Sequence, residues 1–497
     1  MNLVTTFQSH PGDAIAAISR GRTTDYGTLR RQVAAYAGGL RTLGLDPGDR
    51  IGILAGTNWY FVVSYLAALH AGLIAVPLNP AEPSIAIQRE LAEVGVRAVF
   101  VGPAGRAALE GVDMSAVPAL EHVIVSDGQS LTSGVPLDDL LANEPIDIVE
   151  RDDDDVAVLI FTSGTAGAPK AAMLTHGNLR SNLEQLDAHP GRGLEASDLV
   201  LGVLPMFHIF GLNVALGGAL HAGAAILLIE RFDPASALEA VANHKVTVIT
   251  GAPAMWSAWA YMPDVEPTAF ESVRLAASGA SKLDPAIVEI FEQRFGVRIT
   301  EGYGLTEASP VVTSSVGVRC RAGSIGVPVP GIEVRLVDAD GTDTLVGDPG
   351  EIWVRGPNVF AGYWEDPAAT ATALTDDGWL RTGDIAVVDD TGSLFIVDRA
   401  KDLIIVSGFN VYPAEVEEAI LQHPGIEAAA VVGVAHPHTG EAVKAYVVVS
   451  DGRAYEEDEI IDFCAERLAR YKCPSKVMFV DELPVGGGGK LLRRSLR

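Results

Sequence analysis

The densest phosphate-binding chemistry in this 497-residue chain is the string 161–170, Phe-Thr-Ser-Gly-Thr-Ala-Gly-Ala-Pro-Lys. Thr162, Ser163 and Thr165 supply hydroxyls, Gly164 and Gly167 let the backbone bend, and Lys170 adds an ammonium. Together they can turn N–H groups, Oγ atoms and a cation onto phosphate oxygens. An isolated pair of glycines would read as a surface turn. The whole string is more specific than that. It is not a Walker A loop, because Pro169 stands where that motif needs Gly, and Ala171 follows the lysine where it needs Ser or Thr for Mg²⁺. The apolar run 156–160 precedes it and a helix-like segment at 178–186 follows, so the loop should leave a buried strand.

Further strings of chemically capable residues follow in order. They are Ser278-Gly279-Ala280, then Glu301-Gly302-Tyr303-Gly304-Leu305-Thr306-Glu307, then Arg381-Thr382-Gly383-Asp384 after Trp379. Next come Asp398-Arg399-Ala400-Lys401-Asp402, Ser407-Gly408-Phe409-Asn410-Val411-Tyr412-Pro413, and Gly489-Lys490 near the end. In this order, from Phe161 to Lys490, they resemble the motifs of the adenylate-forming (ANL) superfamily: acyl-CoA synthetases, peptide-synthetase adenylation domains and firefly-type luciferases.

The resemblance implies roles. Thr162, Ser163, Thr165 and Lys170, with Gly164 and Gly167, would face the β- and γ-phosphates of ATP. Tyr303 would stack on adenine, Thr306 would touch the α-phosphate and Glu307 would bind Mg²⁺; a flat π-face, a short donor and a hard oxygen suit those tasks. Glu301, Gly302 and Gly304 belong to the same nucleotide-binding string, and Ser278, Gly279 and Ala280 resemble the loop lining adenine and the acyl pocket. Asp384 would accept both ribose hydroxyls, Arg399 would make a second ribose contact, and Lys401 would be the hinge, a position where some relatives carry aspartate. Gly408 resembles the glycine beside the pantetheine tunnel. Lys490 would bridge carboxylate and α-phosphate; the glycines 486–488 ahead of it depart from the more polar loop common in the family and raise the entropy cost of ordering it. His208, in Pro205-Met206-Phe207-His208, would by itself read as a core histidine, but it resembles the Pro-x-Phe-His loop beside the reacting carboxylate.

These residues need a scaffold of alternating strands and helices. Apolar spacing predicts a helix over 28–43 ended by Gly44, a strand at Arg50–Leu54, a helix over Trp59–His70, and strands at 75–78 and Ala98–Val101. That alternation implies a mostly parallel sheet with helices on both faces. The acidic run 152–155 reads as a solvated turn separating this set from a second one, which should start at 156–160 and continue through strands near 199–204, 225–229, 246–249 and 273–277. A helix over 284–295 has Asp284 as its cap. The stretch 214–229 is the most hydrophobic in the chain, but His221 and glycines interrupt it, so a buried helix entering a strand is expected.

After about residue 311 short strands at 332–337, 351–355, 385–388 and 393–397 alternate with Gly/Pro turns, which predicts a small β-rich, barrel-like subdomain. Beyond Lys401 an α+β unit is expected: a helix opened by Pro413, strands at 428–434 and 443–449, and a helix over 456–470 burying Ile460, Phe463 and Leu468. The expected architecture is thus α/β. It has an N-terminal domain over 1–400, made of α/β subdomains at about 1–150 and 151–310 and a β-rich one at 311–400, and a mobile C-terminal domain over 401–497.

Composition bounds the partners. With 36 Lys and Arg against 64 Asp and Glu, the net charge of −28 disfavours nucleic acid and anionic membranes. Cys320, Cys464 and Cys473 are unevenly spaced and odd in number, unlike a disulfide framework or a metal site. Residues 1–13 lack the features of a signal peptide and no apolar run spans a bilayer, so a cytoplasmic protein without a membrane segment is expected.

The leading expectation is a carboxylate–CoA ligase using ATP, Mg²⁺ and coenzyme A, which makes an acyl-adenylate and then an acyl-CoA. The string 406–413 looks most like fatty acyl-CoA synthetases and tilts the substrate toward a medium- or long-chain fatty acid, with selectivity expected in side chains around 209–213 and Gly279. Two alternatives stay open: an adenylating enzyme that loads a carrier protein or activates an aryl or amino acid, and a non-catalytic binding module on the same fold. Oligomeric state, a homodimer included, also stays open.

Overall fold

The computed structural model describes every residue except 127–133, 163–168, 192, 282, 339, 400–403, 412, 451–452, 454, 485–495 and 497, and the side chains of 397–399, 410 and 414. Two large sheets carry the N-terminal part. One has seven strands in the order Val135–Pro136, His122–Val125, Ala98–Val101, Arg50–Leu54, Ile74–Leu78, Val156–Thr162 and Lys170–Thr175. The other has nine, running from Val327–Pro328 through Val311–Ser314, Ile299–Gly304, Leu275–Ser278, Val248–Gly251, Leu199–Gly202 and Ala225–Leu228 to Ile15–Ser19 and Arg22–Asp25. Most pairings are parallel, and the strands read as near-continuous apolar runs because helices cover both faces.

The expected division into consecutive sets gives way here. Val156–Thr162 does not open the second sheet but pairs with Ile74–Leu78 in the first, while Ile15–Ser19 crosses to pair with Ala225–Leu228 in the second. Local patterning marks a strand but cannot choose its partner, which is set by long-range packing. The helix Trp59–His70 shows the consequence: residues 61–70 are all buried, because the sheet lies on one side and other helices on the other. Its N-terminus is closed by Asn58, whose Oδ1 accepts from the N–H of Phe61 at 3.2 Å.

The hydrophobic stretch near 214 is a helix entering a strand, with one refinement. Residues Phe210–Gly217 adopt π-helical geometry, Gly218–Ala222 continue as α-helix, and Ala225–Leu228 is the strand. Such widened turns occur most often at functional sites. Among the described residues no helix is long and apolar enough to cross a membrane.

Four antiparallel strands, Glu333–Val337, Gly350–Arg355, Leu380–Val388 and Leu394–Arg399, form the β-rich part. The smaller C-terminal unit has the sheet order Phe409–Val411, Ile404–Val406, Gly440–Val449, Ile426–His436, with Lys476–Phe479 added alongside Gly440–Val449. Its helix Glu457–Ala465 stops short of the expected 470, and Phe463 is half-buried while Ile460, Cys464 and Leu468 fill the core. The reason is local: the ring of Phe463 carries the Arg467 guanidinium 3.6 Å above it, which keeps that face partly in water. Burial pushes the Cys464 thiol up to about 12 and that of Cys473 up to about 11, so both act as packing groups. The acidic turn at 152–155 is an ion-pair site, where Asp153 takes the Arg180 guanidinium at 2.7 and 2.8 Å and the terminal amine of Met1 at 2.6 Å.

Candidate functional site

The strand register clasps the phosphate-loop candidate at both ends. Thr162 closes one strand and Lys170 opens the next, as direct antiparallel partners, with Thr162 Oγ1 donating to the Lys170 carbonyl at 3.4 Å. The Lys170 ammonium lies 3.2 Å from Asp366 and 5.5 Å from the centre of the Tyr363 ring. Ser163, Gly164, Thr165 and Gly167 fall outside the described residues, as do Lys401 and Lys490.

A second strand end delivers the residues 301–307. Ile299–Gly304 runs into a single 3-10 turn, Thr306–Ala308. Gly304 is required at its position, since a Cβ there would stand 2.2 Å from the Pro310 carbonyl oxygen. The Tyr303 hydroxyl donates to Asp384 Oδ2 at 2.7 Å, and the Tyr363 hydroxyl donates to Glu307 Oε1 at 2.7 Å. Glu301 Oε2 accepts from the N–H of Leu283 at 3.3 Å, and Gly302 pairs with Ser314 across the ladder. Asp384 and Arg399 face each other as backbone partners in neighbouring antiparallel strands, so the two expected ribose contacts start from one rung of the small sheet.

These groups border one cavity of about 1400 Å³, lined among others by Thr162, Lys170, Ser278, Thr306, Glu307 and Asp384. The C-terminal unit reaches the same space with Ser407, Gly408 and Phe409. Close approach explains the glycine: at φ +83° Gly408 packs against the large domain, and a Cβ would lie 3.0 Å from that of Ala252 and 3.9 Å from that of Ala280. Ser407 and Ala280, neither of them glycine, also sit at positive φ, 51° and 69°, so strained backbone from both domains meets at this contact. Gly279 makes room for Phe210, whose ring would lie 3.0 Å from an added Cβ. The Oγ of Ser278 is buried and has no hydrogen-bond partner among the described residues.

His208 lies between the domains' contributions. Its ring centre is 5.3 Å from that of Phe409, which stacks on Tyr471 at 4.3 Å. Burial first, and then the nearby Lys472 ammonium, lower its pKa to about 4, so the imidazole is neutral at physiological pH. Among the described residues its Nε2 is buried without a partner. Lys472 itself joins the domains, meeting Glu415 of its own unit at 2.9 Å and Glu82 of the large domain at 3.4 Å.

The selectivity expected around 209–213 is only partly there. Ile209, Phe210 and Gly211 line the cavity, but Asn213 turns away and its Nδ2 donates to the carbonyls of Leu179 at 3.1 Å and Ser309 at 2.8 Å. The wider helical turn accounts for this, since it rotates side chains off the usual spacing. Sequence reasoning missed the adjoining wall, where Leu183, Leu186 and His189 come from the helix His176–Asp187 and the loop after it. The one available signal was His221, a polar residue inside the most apolar stretch.

Layered α/β sheets whose strand ends converge on one cavity, with a small α+β unit inserting a loop into it, define a two-domain ligand-binding enzyme architecture. The chain belongs to the AMP-binding enzyme family: residues 4–364 match AMP-binding enzymes and residues 415–490 match the AMP-binding enzyme C-terminal domain. It is an enzyme of the class that contains the AMP-forming acid–thiol ligases. It is 36% identical to a long-chain-fatty-acid–CoA ligase of Escherichia coli O157:H7 over 98% of this chain and 91% of that one. It is 37% identical to a feruloyl-CoA synthase of Amycolatopsis sp, covering 97% and 95%. Its fold is similar to that of the amide bond synthetase McbA from Marinactinospora thermotolerans, with a TM-score of 0.88, 29% identity, and coverage of 100% and 99%.

Proposed function

We propose that this chain is an ATP-dependent carboxylate–CoA ligase acting on an acid with a largely apolar body, of which a medium- or long-chain fatty acid is the simplest case. The observation that carries the reading is the shared cavity: nucleotide-motif residues of the large domain and the Ser407-Gly408-Phe409 loop of the small one border the same space. In the first half-reaction a carboxylate oxygen attacks the α-phosphorus, and the bond to pyrophosphate breaks. Lys170 meets the β- and γ-phosphates once they displace Asp366 from its ammonium, Thr306 donates toward the α-phosphate, and Asp384 exchanges the Tyr303 hydroxyl for the ribose hydroxyls, with Arg399 alongside. Lys490 bridges the carboxylate and the α-phosphate in this step.

Mg²⁺ fits the donors present. Glu307 offers a hard carboxylate already oriented by Tyr363, and among the described residues no group of three ligating side chains forms a cage. That suits an ion carried mainly by the triphosphate and water, where it would neutralise phosphate charge. In the second half-reaction the CoA thiol attacks the acyl carbonyl and AMP leaves. The docked Gly408 loop supports reading this arrangement as the thiol-accepting one, with rotation about Lys401 exchanging it for a state that brings Lys490 in.

The test is AMP release from a panel of acids, with CoA or a carrier-protein phosphopantetheine as acceptor. The ligase reading expects CoA-dependent AMP release, a carrier loader would respond to the carrier alone, and a binding module would form no acyl-adenylate. Lys490→Ala is expected to abolish adenylation while preserving thioester formation from supplied acyl-adenylate; loss of both steps in a folded variant counts against the assignment.

A further inference from the structure

The far end of the acyl cavity carries polar side chains, His189 and His221, among apolar ones such as Leu194 and Ala222. The helices His176–Asp187 and 210–222 run side by side in the same direction, as three successive contacts show: Asn213 with Leu179, Gly217 with Leu183, and His221 with Asp187 at 3.7 Å. His208 and Phe210 stand at the reacting end, so His221 lies eleven residues further on, up to about 16 Å along the axis at 1.5 Å per residue. The cavity-facing residues of the second helix are Phe210, Gly211, Val214, Gly218, His221 and Ala222, so His221 is the polar one among them. An apolar tail would call for an apolar residue in place of His221.

Three observations make this end a site. Among the described residues the Nδ1 of His221 is buried without a hydrogen-bond partner, and its Nε2 faces Asp187. His189, also lining the cavity, is buried, and its ring faces the backbone of Ser314 and Val316, with no full hydrogen bond to either nitrogen among the described residues. Between these imidazoles and the reacting end the walls are Leu183, Leu186 and Val214. Buried imidazole nitrogens left unpaired destabilise the fold unless a ligand or water completes them.

We infer that the substrate carries a neutral oxygen, a hydroxyl or a carbonyl, at the end remote from its carboxylate, and that His221, backed by Asp187 and assisted by His189, recognises it. A second carboxylate is disfavoured, because it would approach Asp187. This rests on the ligase reading above and specifies its substrate class.

The experiment compares length-matched acids on the full chain with ATP, Mg²⁺ and CoA: dodecanoate against the same acid bearing a terminal hydroxyl or a terminal carboxylate, and cinnamate against its para-hydroxy derivative. In at least one series kcat/KM for the hydroxylated acid should exceed that of its plain partner by about tenfold or more, the terminal diacid being poorest. His221→Leu should bring that ratio to about one by weakening the hydroxylated acid and improving the plain one. His221→Gln, which keeps a hydrogen-bonding group, should retain part of it. Equal kcat/KM for every plain and hydroxylated pair, or a ratio unmoved by His221→Leu, overturns the inference while leaving the ligase reading intact. No AMP release with any acid overturns both.

Discussion

Asp384 is placed for two successive partners. In the structure its Oδ2 accepts from Tyr303, and on the proposed reading the ribose hydroxyls take over. Hydrogen bonds to a charged group are worth about 1.5–3 kcal/mol each, so Asp384→Ala should raise the KM for ATP by about tenfold or more in a pyrophosphate-release assay. Tyr303→Phe removes only the placeholder hydroxyl and keeps the ring, so it should change that KM by less than about threefold. A large effect of Tyr303→Phe would mean that the hydroxyl stays engaged with nucleotide bound. Tyr363 holds Glu307, the carboxylate proposed to meet Mg²⁺, in a comparable way.

At the scale of elements, the docking of the C-terminal unit depends on a few buried charges. Lys472, placed by the turn after the helix Glu457–Ala465, meets Glu415 on the helix Pro413–Leu421 and Glu82 just before the helix Ser84–Glu93. Removing one member of a buried ionic cluster strands the others, at about 3–5 kcal/mol. Lys472→Met should therefore slow the thiol step from preformed acyl-adenylate by about tenfold or more in single-turnover measurements. Acyl-adenylate formation, which on the proposed reading uses a different position of the small domain, should be spared. An equal loss in both steps would contradict a docking role. The stacked pair Phe409 and Tyr471 flanks the same contact and ties it to His208.

For the whole molecule, the same cluster couples stability to pH. Burial first, and then the neighbouring Glu82, raise the pKa of Glu90 from 4.5 to about 8, against the opposing pull of Lys472 and Arg89 and with a further push from Glu415. The native state therefore keeps a proton that the unfolded chain loses near the ordinary carboxyl pKa. Stability from this group is fully present at low pH and falls as pH rises toward and through about 8. Glu90→Gln should flatten that dependence, so the gap in melting temperature between variant and parent should shift in the variant's favour as pH rises from 5 to 8.5. Parallel melting curves for both proteins across that range would show that Glu90 is not the group responsible.

Sequence alone determined most of the elements and nominated candidates for the site. The strands at Arg50–Leu54 and Ala98–Val101 and the helix Trp59–His70 follow from local periodicity, which acts over a few residues, whereas the motif residues from Thr162 to Asp384 are singled out by their resemblance to a family pattern. Tertiary structure decided what those residues share. It sent Val156–Thr162 into the first sheet and Ile15–Ser19 into the second, set Asp384 opposite Arg399, turned Asn213 away from the cavity, and brought His189 and His221 to its far end. Each of these depends on contacts between residues tens to hundreds of positions apart, where packing and burial, rather than anything written in a local window, select the partner.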